Sequence, residues 1–370
     1  MKFTCDRQKL VDSVLNVQRS VSTKSTMPAL EGILIKAKEN ELEMVGYNLE
    51  LGITTCIPAT VTKSGNIILN ARLFSEIIRK LPDNEVTIKT DEKNITNITS
   101  GASEFSIIGI PAEEFPELPT ITDASDIELS GEILKSMIRQ TLFAISDNDS
   151  KPIHTGTLFD ISKDKIKLIS VDGYRLAMRT EAIKSDEELN FVVPGKTLSE
   201  LLKLIPDSDE NISISVGRRH IIFEFNNYSV ISRLLDGEFL DYNAAIPSSS
   251  ETKTIVNTRN LVDSVERISL LITDRIKSPI RCIFSDNQIK LSCSTAIGKA
   301  NDEVDAPIQG TGVEIGFNNR YLIDALKNAE CDEVLVELSG ALSPMKVMPK
   351  EGDGFLFLVL PVRLKSEWKL

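Results

Sequence analysis

The segment at residues 190–206, NFVVPGKTLSELLKLIP, reads as an apolar strand, a turn and a helix, and it occurs in three related versions. The first version is NIILNARLFSEIIRKLP at 66–82, and the third is EIGFNNRYLIDALKNAE at 314–330. Each lies 124 residues from the central one. Because repetition at a fixed spacing is the sequence signature of duplicated structural units, this segment predicts three similar copies in one chain.

The predicted helix of each version carries the same charges: a basic residue, an acid four positions later and a second base seven positions later. The three sets are Arg72, Glu76 and Arg79; Lys196, Glu200 and Lys203; and Arg320, Asp324 and Lys327. These positions share one helix face, so we expect each acid to pair with both bases. The apolar residues between them predict a buried stripe; they are Leu73, Phe74, Ile77 and Ile78, then Leu198, Leu201 and Leu202, then Tyr321, Leu322, Ala325 and Leu326.

Other elements repeat with the same order. LVDSV occurs at 10–14 and again at 261–265, with ILKSM at 133–137 between them, and each opens an amphipathic helix. Alternating strands with polar turns follow, as in EGILIKAKENELEMVGYNLELGI. The predicted helices are 7–19, 71–80, 132–145, 196–204, 259–272 and 319–328. We therefore predict an α+β protein of three domains, at 1–124, 125–250 and 251–370, the last ending in a short extension at 365–370.

The sequence Pro194-Gly195-Lys196-Thr197 invites comparison with a phosphate-binding loop. Such a loop needs a glycine five residues before its Gly-Lys pair, so that backbone N–H groups can cradle the anion. Position 190 is Asn, and the turns of the other two copies contain no glycine. We expect Lys196 to be a helix-face cation, and an ATP-dependent enzyme that uses Lys196 remains the first alternative.

Composition narrows the class of protein. The amino terminus has no apolar run of signal-peptide length, which predicts a cytoplasmic location. The five cysteines are widely spaced, with no Cys-x-x-Cys pair, and there are two histidines. This pattern predicts structural thiols, with neither a disulfide framework nor a metal site.

The net charge of −12 argues, taken alone, against binding of nucleic acid. The charge is unevenly distributed, however: the predicted helices carry +7 in 70 residues, and the remaining 300 carry −19. Helix propensity does not explain an excess of Lys and Arg, because Glu forms helices equally well. If the copies sit side by side, their basic helices point the same way and suit the backbone of a duplex without reading its bases.

The repeats, the MKFT start, VDGYRLA (171–177), LLDGEFLDY (234–242), EIGFN (314–318) and LVLPVRL (358–364) together resemble the bacterial DNA polymerase III β subunits, the sliding clamps. The match runs from residue 1 to about 364. The resemblance implies the DNA clamp fold: three domains with two helices each packed on antiparallel sheets, the chain forming half of a closed ring. It further implies a processivity factor that encircles duplex DNA without sequence specificity, with no enzymatic activity and no cofactor.

The resemblance also implies a pocket for short linear peptides containing Gln, Leu and Phe. Expected partners are the polymerase III catalytic subunit, the clamp loader, other polymerases and repair proteins. The matching positions are His154, Val171, Gly173, Tyr174, Arg175, Leu176, Leu240, Asn318, Tyr321, Leu342, Pro344, Leu358, Val359, Leu360, Pro361, Val362, Arg363 and Leu364. From the residues alone, VDGYRLA is better explained as a plain Asp-Gly hairpin turn with core flanks; the resemblance is what favours a pocket.

Two further sets of positions follow from the resemblance. Those matching DNA-facing residues are Lys24, Arg72, Arg79, Asn148, Lys151, Lys196 and Arg320, with Arg19 beside them. Those matching the joint of a head-to-tail homodimer are Phe105 and Ile107 on an edge strand, facing Leu271 and Ile272 on a helix of the other subunit. A second alternative is a repeat scaffold that binds proteins and never DNA.

The sequence departs from the family pattern at several positions. His154 replaces an apolar wall residue, and Leu240, Ala244 and Ala245 replace Pro, Arg and Val, which makes the pocket rim less basic. Pro152 and Ile153 stand where relatives place aromatic residues against DNA. The tail KSEWKL (365–370), with Trp368, is expected to extend into solvent; the alternative is that it covers the pocket.

Overall fold

The structure is a computed structural model that describes residues 1–148, 150–185, 187–273 and 275–364. The extension at 365–370 lies outside these ranges. No helix within them is long and apolar enough to cross a membrane. The contacts group into two compact units, Met1–Glu132 with Ser199–Leu234, and Ile133–Leu198 with the described residues from Leu235 onward. The central sequence repeat is therefore divided between the two units.

The secondary structure alternates helices with runs of antiparallel strands. The α-helices are α1 Arg7–Val17, α2 Ala71–Arg79, α3 Gly131–Leu142, α4 Gly195–Leu204, α5 Thr258–Ser269 and α6 Asn319–Lys327. The strands up to the middle of the chain are β1 Lys2–Asp6, β2 Gly32–Lys38, β3 Glu41–Tyr47, β4 Leu51–Pro58, β5 Thr60–Lys63, β6 Gly65–Asn70, β7 Glu85–Thr90, β8 Ile95–Ser100, β9 Ser103–Ile108, β10 Ser125–Ser130, β11 Gly156–Ile161, β12 Lys165–Val171 and β13 Arg175–Ala182. The later strands are β14 Leu189–Pro194, β15 Asn211–Val216, β16 His220–Phe225, β17 Tyr228–Arg233, β18 Thr252–Asn257, β19 Ile280–Ser285, β20 Gln288–Thr295, β21 Gly298–Asp305, β22 Ile308–Gly310, β23 Val313–Phe317, β24 Glu333–Leu338, β25 Met345–Pro349 and β26 Phe355–Val359.

Each unit contains two sheets. The first has a five-stranded sheet of order β5-β1-β7-β8-β9 and an eight-stranded sheet of order β10-β15-β16-β17-β4-β3-β2-β6. The second has a nine-stranded sheet of order β14-β11-β12-β13-β26-β25-β24-β18-β22 and a four-stranded sheet of order β21-β20-β19-β23. The pairings of β17 with β4 and of β26 with β13 each join strands from different sequence repeats.

Side-chain caps fix where several helices begin. Asn70 caps α2 by accepting from the N–H of Leu73, and Asn318 caps α6 by accepting from the N–H of Arg320. These two caps are equivalent positions of the repeat, and Pro194 stands at the third. A side-chain oxygen that satisfies a free N–H of the first turn stabilises a helix by about 1 kcal/mol.

Several predictions about the helices need correction. Helix 7–19 ends at Val17 and helix 132–145 at Leu142, and Leu202 and Tyr321, expected in the buried stripes, are only half-buried. Leu73 was expected in the buried stripe of α2 but is 45% exposed, whereas Phe74, Ile77 and Ile78 are buried. The predicted helix 259–272 ends earlier, at Ser269. Its last turn tightens, because Leu270 donates to the carbonyl of Arg267 and Ile272 to that of Ser269. Leu271 and Ile272 therefore follow the helix and do not belong to it.

The expected pairing of one acid with two bases occurs only in part. In α2, Arg72 Nε lies 3.1 Å from Glu76 Oε1. In α4, Glu200 pairs with Lys203 at 2.8 Å and also with Arg19 at 3.3 Å.

In α6, the acid and the second base pair with residues outside the helix. Asp324 forms an ion pair with Arg175 of β13, and Lys327 Nζ lies 2.6 Å from Glu266 Oε1. The duplicated charges therefore serve different contacts in each copy.

Candidate functional site

The site is built on the turn between β12 and β13. Asp172 Oδ1 accepts hydrogen bonds from the N–H groups of Tyr174 at 2.9 Å and Arg175 at 3.0 Å. Gly173 has φ +89°, a conformation that glycine adopts at no steric cost. Val171 and Leu176 on either side are buried. The segment VDGYRLA is thus an Asp-Gly turn with core flanks, and its tip holds Tyr174 62% exposed.

Arg175 ties this turn to helix α6. Its Nε lies 2.9 Å from Asp172 Oδ2, and its guanidinium forms a second ion pair with Asp324. The guanidinium carbon lies 4.6 Å from the centre of the Tyr321 ring and 5.6 Å from that of Phe143. With 13% of its side chain exposed, Arg175 holds the turn against the helix through charge and ring contacts together.

The Tyr321 ring, which contacts the Arg175 guanidinium, also contacts the exposed Tyr174 of the turn. Tyr174 and Tyr321 stack with their centres 5.9 Å apart and their planes 19° from parallel. Burial raises the pKa of the Tyr321 hydroxyl, and the nearby Asp172 carboxylate adds to this effect. Tyr321 therefore stays neutral and can both donate and accept a hydrogen bond.

An apolar cluster, which we call the apolar wall, lies behind the turn. Its buried members are Leu158, Ile169, Val171, Leu176, Val192, Tyr242 and Leu358, with Ile153, Met178, Leu235, Phe239, Leu240, Ile246 and Leu356 partly buried against them. Tyr242 donates to Asp160 Oδ2 at 2.5 Å. Burial, together with that hydrogen bond, raises the pKa of Tyr242 to about 12. Tyr242 is therefore uncharged at neutral pH, and the apolar wall stays free of charge at this residue.

The segment after β26 runs along the turn. Strand β26 pairs with β13 in a register that sets Val359 opposite Arg175. Leu360 then donates to the carbonyl of Tyr174 at 2.9 Å, and Val362 to that of Gly316 at 2.8 Å. A side chain at Gly316 would meet the Val362 carbonyl at 2.6 Å, so the close approach requires glycine there. Strand β26 ends at Val359, within the motif LVLPVRL, and Pro361 just after it has no N–H to donate to a ladder.

A depression of about 1080 Å³ opens beside the turn. Seven predicted peptide-pocket residues line it: His154, Gly173, Tyr174, Arg175, Asn318, Tyr321 and Val362. Three predicted DNA-facing residues line it as well: Asn148, Lys151 and Arg320. Ile272, predicted at the dimer joint, lines it too. The structure therefore brings together residues from three sets that the sequence assigned to different partners.

His154 joins the depression to the apolar wall. Its ring meets Phe239 edge to face with centres 5.5 Å apart. Burial lowers the pKa of His154, and the positive charge of Lys151 lowers it further. The imidazole is therefore neutral at pH 7 and offers one donor and one acceptor among apolar neighbours.

Other predicted pocket residues divide between the wall and the periphery. Val171, Leu176, Leu240 and Leu358 belong to the apolar wall. Leu342, which is 78% exposed, and Pro344 lie in the turn between β24 and β25. Within the described residues these two line neither the depression nor the wall, and nor do Val359, Leu360, Pro361, Arg363 and Leu364.

The other predicted DNA-facing residues are surface cations on or near helices. Lys24, Arg72, Arg79 and Lys196 are exposed, and Arg19 is half-buried beside Glu200. Strand β14 ends at Pro194 and α4 begins at Gly195, so no glycine-rich loop separates them. Lys196 therefore lies on the first turn of a helix, without the backbone cradle that a nucleotide phosphate requires.

Three family models of the DNA polymerase III β subunit match the chain: the N-terminal domain at 1–119, the central domain at 128–241 and the C-terminal domain at 243–363. The chain belongs to this family. It is 36% identical to the β sliding clamp of Staphylococcus epidermidis, covering 98% of this chain and 99% of the relative.

Solved clamp structures agree with this assignment. The polymerase sliding clamp of Bacillus subtilis matches with a TM-score of 0.96 at 34% identity, covering 99% of this chain and all of that one. The sliding clamp of Bartonella birtlesii, solved bound to griselimycin, matches with a TM-score of 0.94 at 31% identity, covering 98% of this chain and all of that one. The predicted family and the predicted three-domain clamp fold are confirmed. The relatives are processivity factors and not enzymes, in agreement with the predicted function.

The residues predicted at the clamp joint occupy two kinds of position. Phe105, 40% exposed, and Ile107, half-buried, lie on β9, an edge strand of the five-stranded sheet. Leu271 and Ile272 pack partly against the core of the second unit. The sequence missed two more exposed apolar residues beside them, Ile108 at 83% and Leu270 at 79%. Ile108 follows Ile107 in the sequence, and Leu270 precedes Leu271. Their position next to predicted residues was visible in the sequence, but their exposure was not.

Sequence reasoning also missed the partners of Arg175 in this clamp. Asp324 was noticed only as a helix-face acid, and Phe143 only as part of a predicted helix. The sequence did show the Asp172-Gly173 turn, from which the position of Arg175 at the end of the turn could be predicted. The helix that meets Arg175 there comes from a distant part of the chain, so its side chains could not be assigned to the turn.

Proposed function

We propose that two copies of the chain join head to tail into a ring around duplex DNA, and that partner proteins attach through the depression beside Tyr174. The protein is a processivity clamp: it tethers the replicative polymerase and holds DNA without reading its sequence. The observation that carries the proposal is the depression itself, where peptide-pocket and DNA-facing residues meet in a chain of the clamp family.

The proposed peptide site combines the apolar wall with the polar rim of the depression. The wall receives the Leu and Phe side chains of a partner peptide. Tyr174 stands exposed to stack on the peptide, and His154 and Asn318 supply hydrogen bonds. Arg175 is committed to Asp172 and Asp324, so its role is to hold the site in shape. The remaining predicted residues, from Val359 to Leu364, would form the border that the peptide follows.

The partners expected at this site are the polymerase III catalytic subunit, the clamp loader, other polymerases and repair proteins. A truncation experiment tests the site with a polymerase-derived peptide. A chain that ends at Val362 should lose peptide binding, because Arg363 and Leu364, the end of that border, are gone. The matched control ends at Leu364 and lacks only 365–370; it should bind normally. Equal affinity of both chains would place the site elsewhere, and loss in both would assign the tail a part.

The proposed DNA contacts are non-specific. Lys24, Arg72, Arg79, Lys196 and Arg320 are exposed cations on or near helices, and they suit phosphates and not base edges. Asn148 and Lys151 lie in the loop after α3. Because the chain carries a net charge of −12, these local positive charges would guide the duplex through the ring without holding it tightly.

The proposed joint pairs the β9 edge of one copy with the region of Leu271 and Ile272 in the other. Joining would cover Ile108 and Leu270 and satisfy the free backbone groups of an edge strand. A head-to-tail joint must close into a ring to leave neither patch exposed. Leu271→Ala combined with Ile272→Ala should yield monomers in native mass spectrometry, while Met27→Ala, at an exposed apolar residue away from the joint, should not.

The ring proposal has a direct topological test. The protein is loaded onto a nicked circular plasmid, which is then linearised. A ring stays on the circle and slides off the free ends, whereas a scaffold that binds only proteins associates with neither form. Retention on the linear form would show that the protein grips DNA and does not encircle it.

We also propose domain boundaries at 1–124, 125–250 and 251–370. The first two matched ranges fall inside these limits, and the third begins earlier, at 243. A cytoplasmic location is proposed as well, since replication takes place there in bacteria.

A further inference from the structure

The first unit contains a second copy of the turn on which the candidate site is built. Asn48 Oδ1 accepts hydrogen bonds from the N–H groups of Glu50 at 3.0 Å and Leu51 at 2.8 Å. Asp172 accepts from Tyr174 and Arg175 in the same way in the second unit. The two turns lie 124 residues apart, so they are equivalent points of the internal repeat.

The sheet joint beside the turn is duplicated too. Strand β17 pairs with β4 so that Ser232 lies opposite Leu51, as Val359 lies opposite Arg175 in the pairing of β26 with β13. In each unit the following residue bonds to the turn: Arg233 donates to the carbonyl of Glu50 at 2.8 Å, and Leu360 to that of Tyr174 at 2.9 Å. The backbone of the candidate site therefore exists twice in the chain.

The side chains on the two copies differ in chemistry. Leu49, 49% exposed, stands where the second unit has Gly173, and Arg233 stands where it has Leu360. Strand pairing places His220 opposite Arg233, and Leu234 donates to the carbonyl of Arg219 at 2.8 Å. We call Leu49, Arg218, Arg219, His220 and Arg233 the Leu49 surface.

The Leu49 surface carries three arginines against one acid, Glu50, which is exposed at the tip of the turn beside Leu49. Arg218, Arg219 and Arg233 are exposed, and within the described part of the chain none of the three forms a salt bridge. Burial lowers the pKa of His220, and the charges of Arg233 and then Arg219 lower it further. Three arginines therefore face solvent together, on a protein whose net charge is −12.

Leu49 is held in an unusual backbone conformation. Its φ is +73°, a region that a leucine adopts at a cost of about 1–2 kcal/mol and that glycine adopts freely. The turn holds this leucine half-exposed beside the arginines. An apolar side chain at this point suits contact with a protein side chain and contributes nothing to recognition of phosphates.

We propose that the Leu49 surface is a second docking site, which takes an acidic peptide segment with an apolar residue from a partner protein. The acidic groups pair with Arg219 and Arg233, and the apolar residue packs on Leu49. Opposite charges on the two surfaces also raise the rate of association. This site goes beyond the proposed peptide site, since it uses none of its residues.

The test uses a short fluorescent peptide with one leucine flanked by aspartates and glutamates, titrated with the full chain. Arg219→Glu combined with Arg233→Glu should weaken binding at least about tenfold, because two attractions become repulsions. Leu49→Gly should weaken it about threefold, since it removes the apolar contact and keeps the positive φ of the turn. Arg259→Glu, at an arginine 85% exposed elsewhere, is the matched control and should leave the affinity unchanged.

Two further measurements separate this proposal from its alternatives. Tyr174→Ala alters the proposed peptide site and should not change the affinity for the acidic peptide; a parallel loss would show that both peptides use one site. Single-stranded oligo-dT should bind the wild-type chain more weakly than the acidic peptide. If oligo-dT binds more tightly and Leu49→Gly has no effect on either probe, the surface takes nucleic acid and the proposal is wrong.

Discussion

The two units build the same sheet joint and fill it with different side chains. Around β4, Tyr47 is buried, and Gly52 leaves room for its neighbours. A Cβ at Gly52 would lie 2.8 Å from Ile231 Cγ2, 3.1 Å from Leu118 Cδ2 and 3.3 Å from Tyr47 Cδ2. At the equivalent points of the second unit stand Val171 and Leu176. The first unit thus has the larger side chain at the first of these two positions, and the second unit has it at the second. Duplication therefore fixed the backbone, while the side chains decide what each copy can bind.

Electrostatics separates the units in the same way. In the second unit, Arg175 is enclosed by Asp172, Asp324 and two aromatic rings, and its equivalent in the first unit is the buried Leu51. The second unit thus holds its turn with charge, and the first with apolar packing. This difference implies that the same change at equivalent positions has unequal consequences.

The largest expected effect comes from removing the enclosed charge. Arg175→Ala leaves the Asp172 carboxylate, 11% exposed, without its cation. Loss of one partner of a largely buried pair should lower the stability of the second unit by about 3 kcal/mol. Differential scanning calorimetry should show its melting transition at lower temperature. Arg72→Ala is the control: its pair with Glu76 is exposed, and the change should be below about 0.5 kcal/mol.

A second experiment exchanges the packing of the two joints. Val171→Tyr has no room beside Leu176, so the ring must turn into the proposed peptide site or strain the wall. Affinity for a polymerase-derived peptide should fall about a hundredfold, which corresponds to about 2.7 kcal/mol.

Adding Leu176→Gly should recover part of that affinity, because it recreates the arrangement of Tyr47 and Gly52. Tyr47→Val in the first unit should leave peptide affinity unchanged. If Val171→Tyr alone binds normally, the apolar wall is not part of the site.

Much of this comparison could be predicted from the sequence. The spacing of 124 residues, the hairpin punctuation and the helix charges are local patterns, and they give the repeat, the strand order within each hairpin and all six helices to within a few residues. The resemblance supplied Tyr174, Tyr321, Asn318 and His154, which line one depression.

The remaining features depend on contacts between distant segments. The pairings of β17 with β4 and of β26 with β13 join separate repeats. No local sequence pattern predicts that the boundaries between the two compact units fall within the central repeat. Leu73 fits the apolar stripe by period, yet its burial depends on what packs there. The meeting of Lys151 and Arg320 with Tyr174 is likewise set by tertiary structure.

A pH titration should distinguish the units at a further pair of corresponding strands. In the second unit, Glu337 lies 2.6 Å from Lys253 Nζ, 2.5 Å from Lys346 Nζ and 2.7 Å from Ser250 Oγ. Burial raises the pKa of Glu337, but hydrogen bonds from these three groups outweigh it and lower the pKa to about 2. In the first unit, the corresponding strands carry a bond of 2.6 Å from Ser215 Oγ to Asp126.

Because the folded-state pKa lies below the ordinary value of 4.5, Glu337 stabilises the second unit above pH 4.5. This contribution is lost as the pH falls from 4.5 to about 2, and by pH 3 the loss should reach about 2 kcal/mol. Calorimetry should show the second unit losing more stability than the first over this range. Glu337→Gln should remove the excess; an unchanged difference would assign it to other carboxylates.

The smallest expected effect lies at the tips of the two turns. A Cβ at Gly173 would meet nothing within 4 Å, so Gly173→Ala costs only the strain of φ +89°, about 1 kcal/mol. Leu49→Gly relieves the same strain at φ +73° but adds freedom to the unfolded chain, and the two effects should nearly cancel. Urea unfolding of both variants checks this. If Leu49→Gly destabilises the first unit by more than about 1 kcal/mol, Leu49 packs within its own unit, and its half-exposed side chain is not available to a partner.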